Sequence, residues 1–384
     1  MYVTRRLSLF QRSPNSLSAP PEGPNSGYLV IQDEESETEI TTCCGTFKSR
    51  QVKDLPIPQN KELRLEYGSD DDDVALVPPL NEPLSSNRHY AIRPHRSHKA
   101  EGYACSKEED ARICCFCCTV RHVDPWPLDP SHIYQQFEIV PYKRNVGSFF
   151  AKSVAPDGYP PYFLSRKGWK IVTRAPKHYQ LNEALGVNTA TRILLPEFKF
   201  PLSCKTSQAI VVGKWYCPFM FVKDGAPKDQ IKTSMFYEMT LEQRWEQIFA
   251  CENEYNVGKA VSVNVVARTE MAFVGGRIQA MWDERKVSGD GVIWFKGSGD
   301  GDGRVGLHRA IVERMKWEEE RGGWIGGEER EVIVKRTMEF EGSGNWGKFG
   351  CYVSVEPFVL KRMDGNVAST CDFKHTNLIR CKWE

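Results

Sequence analysis

From Val261 to Phe273 the side chains alternate in character. Val261, Val263, Val265, Ala267, Thr269, Met271 and Phe273 share one parity, while Ser262, Asn264, Arg268 and Glu270 fall on the other. A period of two is the signature of a strand with one buried face. At about 3.3 Å per residue such a strand would run about 40 Å, long enough to organise a sheet. Just upstream the period changes. Thr240 with Gln243 fits a capping box, and Leu241, Trp245, Ile248 and Phe249 follow at helical spacing. This predicts an amphipathic helix over 240–252, lying on the odd face of the strand. Gly275-Gly276 reads as a two-residue hairpin turn, pairing Phe273 with Ile278, Met271 with Ala280 and Thr269 with Trp282. Residues 277–283, 291–296, 330–340 and 349–360 read as further strands. The stretch 305–317 fits either period, because Leu307, Ile311 and Met315 are also spaced for a helix.

Proline and glycine divide the chain. Of the 23 prolines, 22 precede residue 228, whereas 19 of the 30 glycines lie from Gly258 onward. Proline cannot donate to a sheet ladder and glycine serves tight turns, so short strands joined by rigid loops should give way to regular antiparallel sheet. The expected fold class is mainly β with minor α (α+β), in two regions. Residues 1–230 form a proline-rich mixed β region, and 231–384 form a long-stranded antiparallel sheet packed by one amphipathic helix. A weak tandem pattern runs through the first: a strand at Tyr28 followed by Cys43-Cys44, and a strand at Tyr90 followed by Cys117-Cys118. Asp70 to Asp73, with Pro78-Pro79 beyond, reads as an exposed loop.

Charge removes some function classes. The 384 residues carry 51 basic and 50 acidic side chains, net +1, so no global field draws the protein to nucleic acid or an anionic membrane. No secretory leader or apolar run long enough for a spanning helix is visible, and a cytoplasmic location is expected. In that compartment the 13 cysteines are free thiols rather than a disulfide framework.

The densest chemistry lies at Cys114, Cys117, Cys118 and His122, four soft ligands with the spacing of a structural zinc site. The alternatives are a buried strand using cysteine as a small hydrophobe, or lipidated or redox-active thiols. His89, His95 and His98, with Arg88, Arg93, Arg96 and Lys99, form a basic loop that would bind an anion or simply be solvated. Gly342 to Lys348 matches the start of a phosphate-binding loop, but Phe349 stands where Ser or Thr should hold magnesium, and strand-like alternation follows it. Gly297 to Gly303 lacks the spaced carboxylates of a calcium loop. Both read as hairpin connections. No Gly-x-Ser-x-Gly or His-Glu-x-x-His occurs, and no catalytic constellation stands out.

Met1-Tyr-Val-Thr-Arg with Leu7-Ser-Leu, the run Pro21 to Glu35, and Cys-Phe-Cys at Cys115 to Cys117 resemble a plant family, over nearly the whole chain. It is catalogued as domain of unknown function 1262, and some members carry the label insecticidal crystal toxin domain. The resemblance implies a plant source and a stress- or defence-related role, with no catalytic residues to carry over. Two functional classes follow. One is a non-catalytic binding or interaction protein with a protein or small-molecule partner. The other is a membrane-active, aerolysin-like β protein; a zinc-binding structural module is a further alternative. Stable membrane insertion is disfavoured, because after three apolar pairs the hairpin at Gly275 reaches Glu284 and Lys286.

Overall fold

The computed structural model describes residues 1–37, 39–42, 45–48, 50–95, 99–107, 111–114, 117–120, 123–254, 258–299, 303–327 and 330–384; over 39–42, 45–48, 111–114 and 117–120 it describes the backbone alone. The protein is mainly β, with large antiparallel sheets and few helices. The chain divides into two compact units: 1–184 with 216–237 and 289–292, and 185–215 with 238–288 and 293–384.

The first unit is built on a seven-stranded sheet in the order Phe149–Ser153, Gln136–Pro141, Arg88–Ile92, Asp70–Val77, Glu62–Tyr67, Lys170–Arg174, Gln51–Val52. Its neighbours run antiparallel. Leu63, Leu65, Val74, Leu76, Phe137, Ile139, Trp169 and Ile171 form its core. Burying each of these contributes on the order of 1.5–3 kcal/mol. The four aspartates at 70–73 open a strand rather than forming a loop. They pair with Glu62–Tyr67, where Arg64 bridges Asp71 and, at 3.1 Å, Asp73, so cross-strand charge pairing replaces the repulsion that suggested a loop.

In the second unit the strands Ile278–Met281, Glu270–Val274, Val367–Trp383, Lys348–Lys361 and, from residue 238 onward, Phe236–Glu252 lie side by side in that order. The segment expected as a helix over 240–252 is therefore strand. Its inward row is Met239, Leu241, Gln243 and Trp245, all buried. Gln243 is polar, which hid the period of two, and the intervening Glu242, Arg244 and Glu246 look like a solvated helix face. They are instead paired across strands: Arg244 with Asp372 at 2.6 Å, Glu246 with Lys374 at 2.5 Å, and Glu242 with Lys361 at 3.6 Å. A helix occurs instead at Arg309–Arg321, where it follows the strand Arg304–His308 and is capped by His308 Nδ1 accepting from Ala310 N at 3.2 Å. The ambiguous stretch 305–317 thus contains both periods.

The alternating stretch at 261–273 is two strands. Ala260–Arg268 pairs with Glu331–Glu339 as a separate two-stranded ribbon, and Glu270–Val274 pairs with Val367–Trp383 in the large sheet. The chain changes sheets at Thr269, whose N–H donates to Arg330 O (2.8 Å) and whose carbonyl accepts from Lys374 N (2.9 Å). Val261, Val263 and Ala267 are buried as the alternation requires, and Ile248 and Phe249 pack against that face from a strand. The turn after Val274 has three residues, with Gly275 and Gly276 at positive φ, and Val274 faces Ile278 while Phe273 faces Gln279. A slip of one residue reassigns every cross-strand pair, so the pairing read from a two-residue turn does not occur.

Candidate functional site

A cleft of about 290 Å³ opens in the first unit. Its apolar wall comes from Leu63, Val74 and Leu76 on paired strands, and from Ile231, Met235 and Phe236 at and beyond the helix Pro227–Thr233. Lys61, Arg174, Lys177, His95 and His178 stand around it, with Glu62 and Asp73 as the acidic members. Both carboxylates are engaged: Glu62 Oε1 accepts from Lys177 N at 3.1 Å and Asp73 from Arg64 at 3.1 Å. Arg174 and Lys177 make no ion pair among the described residues, and both are exposed. The wall is held in place. Tyr179 packs on Phe236 with the ring planes tilted by 59° and the centroids 5.2 Å apart, and donates its hydroxyl to Lys61 O at 3.0 Å. Burial, then Glu62, pushes the Tyr179 phenol up, so it remains a donor. Buried Gln59 donates its N–H to Val30 O (2.9 Å) and accepts from Val30 N at Oε1 (2.7 Å). An apolar wall with a cationic mouth suits an anion carrying an apolar body, and the volume is that of a small ligand.

The basic loop predicted from the sequence is divided. His89 is buried, its Nδ1 3.0 Å from Asn87 O, and burial lowers its pKa to about 4, so it is a neutral core residue. Arg88 is paired with Glu82 at 2.8 Å. Among the described members of the group, only His95 lines this cleft, while Lys99 lines a separate cavity of about 200 Å³. Arg96 and His98 lie outside the described residues. Of the four candidate zinc ligands, Cys114 and Cys117 sit opposite each other at the end of a hairpin formed by Ala111–Cys114 and Cys117–Val120, with Cys118 opposite Ile113. His122 and the side chains of all three cysteines lie outside the described residues.

A second group of titratable residues went unread in the sequence. Arg192 from the helix Thr189–Leu194, Gln243, Glu356, His375 and Glu319 converge inside the second unit, each buried. Arg192 Nη2 lies 2.5 Å and Nε 2.9 Å from Glu356 Oε2, and Nη2 is 3.4 Å from Glu319 Oε1. Gln243 donates to Glu356 Oε1 at 2.6 Å, and His375 Nε2 is 2.9 Å from Glu319 Oε2. Burial, then repulsion from Glu356, pushes Glu319 well above the usual carboxylate range. Burial lowers His375. For Arg192 burial acts downward, but Glu319 and Glu356 outweigh it and leave the guanidinium firmly charged. The arrangement is an Arg192–Glu356 ion pair beside a hydrogen-bonded Glu319–His375 pair in which burial disfavours the charged form of each partner. Glu319, Glu356 and His375 are close enough to hold a metal ion, but the guanidinium already bridges both carboxylates, so an added cation would meet a fixed positive charge. One signal was present in the sequence: Glu319 continues the stripe Ile311, Met315 at i+8, an acid on an apolar helix face. The cleft had no such signal, since its residues come from five separate segments.

A family model described as Protein of unknown function (DUF1262) matches residues 22–116, a narrower span than the near whole-chain resemblance expected. No curated protein matches the chain. Among solved structures it is similar to one titled Crystal structure of Cry35Ab1, with a TM-score of 0.41 and 10% identity, over 85% of this chain and 90% of that one. The matched residues 22–116 lie in the first unit and include Lys61, Leu63, Val74, Leu76 and His95 of the cleft.

Proposed function

We propose that this protein is a non-catalytic binding protein whose cleft in the first unit takes a small amphiphile with an acidic head. The observation that carries this is the pairing of an apolar wall (Leu63, Val74, Leu76, Met235, Phe236) with the unpaired cations Arg174 and Lys177 at its mouth. The head would meet the cations and the apolar body would cover the wall. A membrane-inserting role for the ribbon of Ala260–Arg268 and Glu331–Glu339 finds less support. Its outer face carries Asn264 opposite Lys335 and Arg268 opposite Glu331, leaving only Val266 opposite Ile333 as an apolar pair between them. A lipid-facing band needs about 9–11 residues per strand without such charges.

Calorimetric titration of the full chain with decanoate and with decanol tests the reading. Decanoate should bind one to one and more tightly, with the difference shrinking as salt screens the head. Lys177→Glu should weaken decanoate about tenfold, equivalent to about 1.4 kcal/mol, and leave decanol unchanged. Ala175→Trp, at an exposed position on the rim, should block both. Equal binding of acid and alcohol, or no binding of either, would overturn the proposal.

A further inference from the structure

Cys351 and Cys381 face each other across the two strands Lys348–Lys361 and Val367–Trp383. Their place in the ladder follows from the hydrogen bonds nearby. Lys348 N donates to Glu384 O (2.8 Å) and Glu384 N to Lys348 O (2.9 Å), so these residues form a hydrogen-bonded pair. The register continues without a shift through Phe349–Trp383 and Gly350–Lys382 to Cys351–Cys381. Hydrogen-bonded and non-hydrogen-bonded pairs alternate in an antiparallel ladder, so Cys351–Cys381 is non-hydrogen-bonded. In such pairs the Cα atoms approach to about 4.5 Å and the side chains are closest, within the span a disulfide bridges. Phe349 and Trp383, two residues along in the same class of pair, bring their ring centroids to 4.4 Å.

We propose that Cys351 and Cys381 are a redox-active dithiol that closes to a cross-strand disulfide by exchange with a low-molecular-weight disulfide such as oxidised glutathione. The two sulfurs have different tasks. Cys351 is fully buried in the cluster of Val261, Val263, Trp346 and Phe349, whereas Cys381 is half-buried at its edge. A hydrogen bond from the Cys351 thiol, which outweighs burial, together with Arg336, lowers the Cys381 pKa; the same bond, then burial, raises that of Cys351. Cys381 is thus the attacking thiolate and Cys351 the resolving thiol. Cys381 sulfur attacks one sulfur of oxidised glutathione, breaking its S–S bond and releasing one glutathione thiolate. Cys351 then gives up its proton and attacks the Cys381 sulfur in the mixed disulfide, releasing the second glutathione. Two protein thiols are oxidised, and one glutathione disulfide is reduced to two thiols. The new bond ties the terminal strand to its neighbour.

The experiment exposes the folded full chain to oxidised glutathione, alkylates the remaining thiols, and maps the peptides by mass spectrometry. The expected result is loss of two alkylatable thiols, a linked peptide pair joining Cys351 to Cys381, and a rise in the thermal midpoint that dithiothreitol reverses. Cys351→Ser should trap Cys381 as its glutathione adduct, and Cys381→Ser, at the half-buried position, should leave Cys351 reduced. Both thiols remaining alkylatable in the wild type would overturn the proposal. So would a stable Cys381 adduct in the wild type, or linkage of Cys381 to Cys251, the half-buried thiol in the same cluster. Because the wild-type map decides between these outcomes, failure of either variant to fold does not blunt the test.

Discussion

Glu319→Gln should stabilise the protein increasingly as the pH rises. Glu319 is buried at 0% exposure, and burial with the nearby Glu356 holds its folded-state pKa well above the ordinary 4.5. A group with a raised folded pKa favours folding below its unfolded pKa. That advantage is lost as the pH climbs towards the folded value, because only the unfolded chain releases the proton. Each pH unit in that window costs the wild type about 1.4 kcal/mol. Glutamine keeps the shape and the hydrogen bond to His375 but carries no proton to release, so the cost disappears. From pH 5 to pH 7 the stability difference, variant minus wild type, should grow by up to about 2.7 kcal/mol. Taking the difference cancels the titrating groups that do not touch Glu319; His375, hydrogen-bonded to it, shifts with the substitution and is part of what is measured. Urea unfolding of both proteins across pH 5 to 8 measures it. A difference that stays flat would mean that Glu319 is ionised beside Arg192, and its raised pKa would be refuted.

Arg192→Ala should cost about 3–5 kcal/mol by leaving the Glu356 carboxylate buried without its cation, while the double variant Arg192→Met/Glu356→Gln should recover most of that; denaturant melts would show whether it does. Trp245→Ala removes an indole that is 0% exposed and donates to Pro196 O at 2.9 Å, and should cost about 3–5 kcal/mol by thermal unfolding. Val265→Asp, at the half-buried position of the otherwise buried row of Val261, Val263 and Ala267, should destabilise by about 1–3 kcal/mol, whereas Asn264→Asp on the exposed row should stay within about 0.5 kcal/mol.

Alternation was a reliable guide where each inward side chain is apolar. Val261, Val263 and Ala267 are buried and Ser262, Asn264 and Arg268 exposed, as the pattern required. It failed in two ways. At Thr269 the period continues although the chain changes sheets, because a period of two reports which way side chains point and carries no information about the pairing partner. At 240–252 a buried Gln243 occupied the inward row, and three charged residues formed cross-strand pairs that sequence cannot distinguish from a solvated helix face. The turn at Gly275 is legible from its glycines, but its length, and with it the register, is set by Val274 pairing with Ile278 rather than with Arg277, which the glycines do not dictate. The cleft was illegible for another reason. Its cations are ordinary surface lysines and arginines in sequence, and only the folding of strands 62–67, 70–77 and 170–174 beside the helix at 227–233 brings them to one apolar wall.

Methyl NMR of the full chain titrated with decanoate tests most directly whether that wall is a ligand surface. The methyl resonances of Met235, Leu63 and Leu76 should move together and saturate at one equivalent of bound ligand, while those of Val353 and Leu360, buried in the other unit, stay fixed. Methyls of the cleft that remain unmoved at saturating decanoate, or shifts spread evenly over both units, would contradict it.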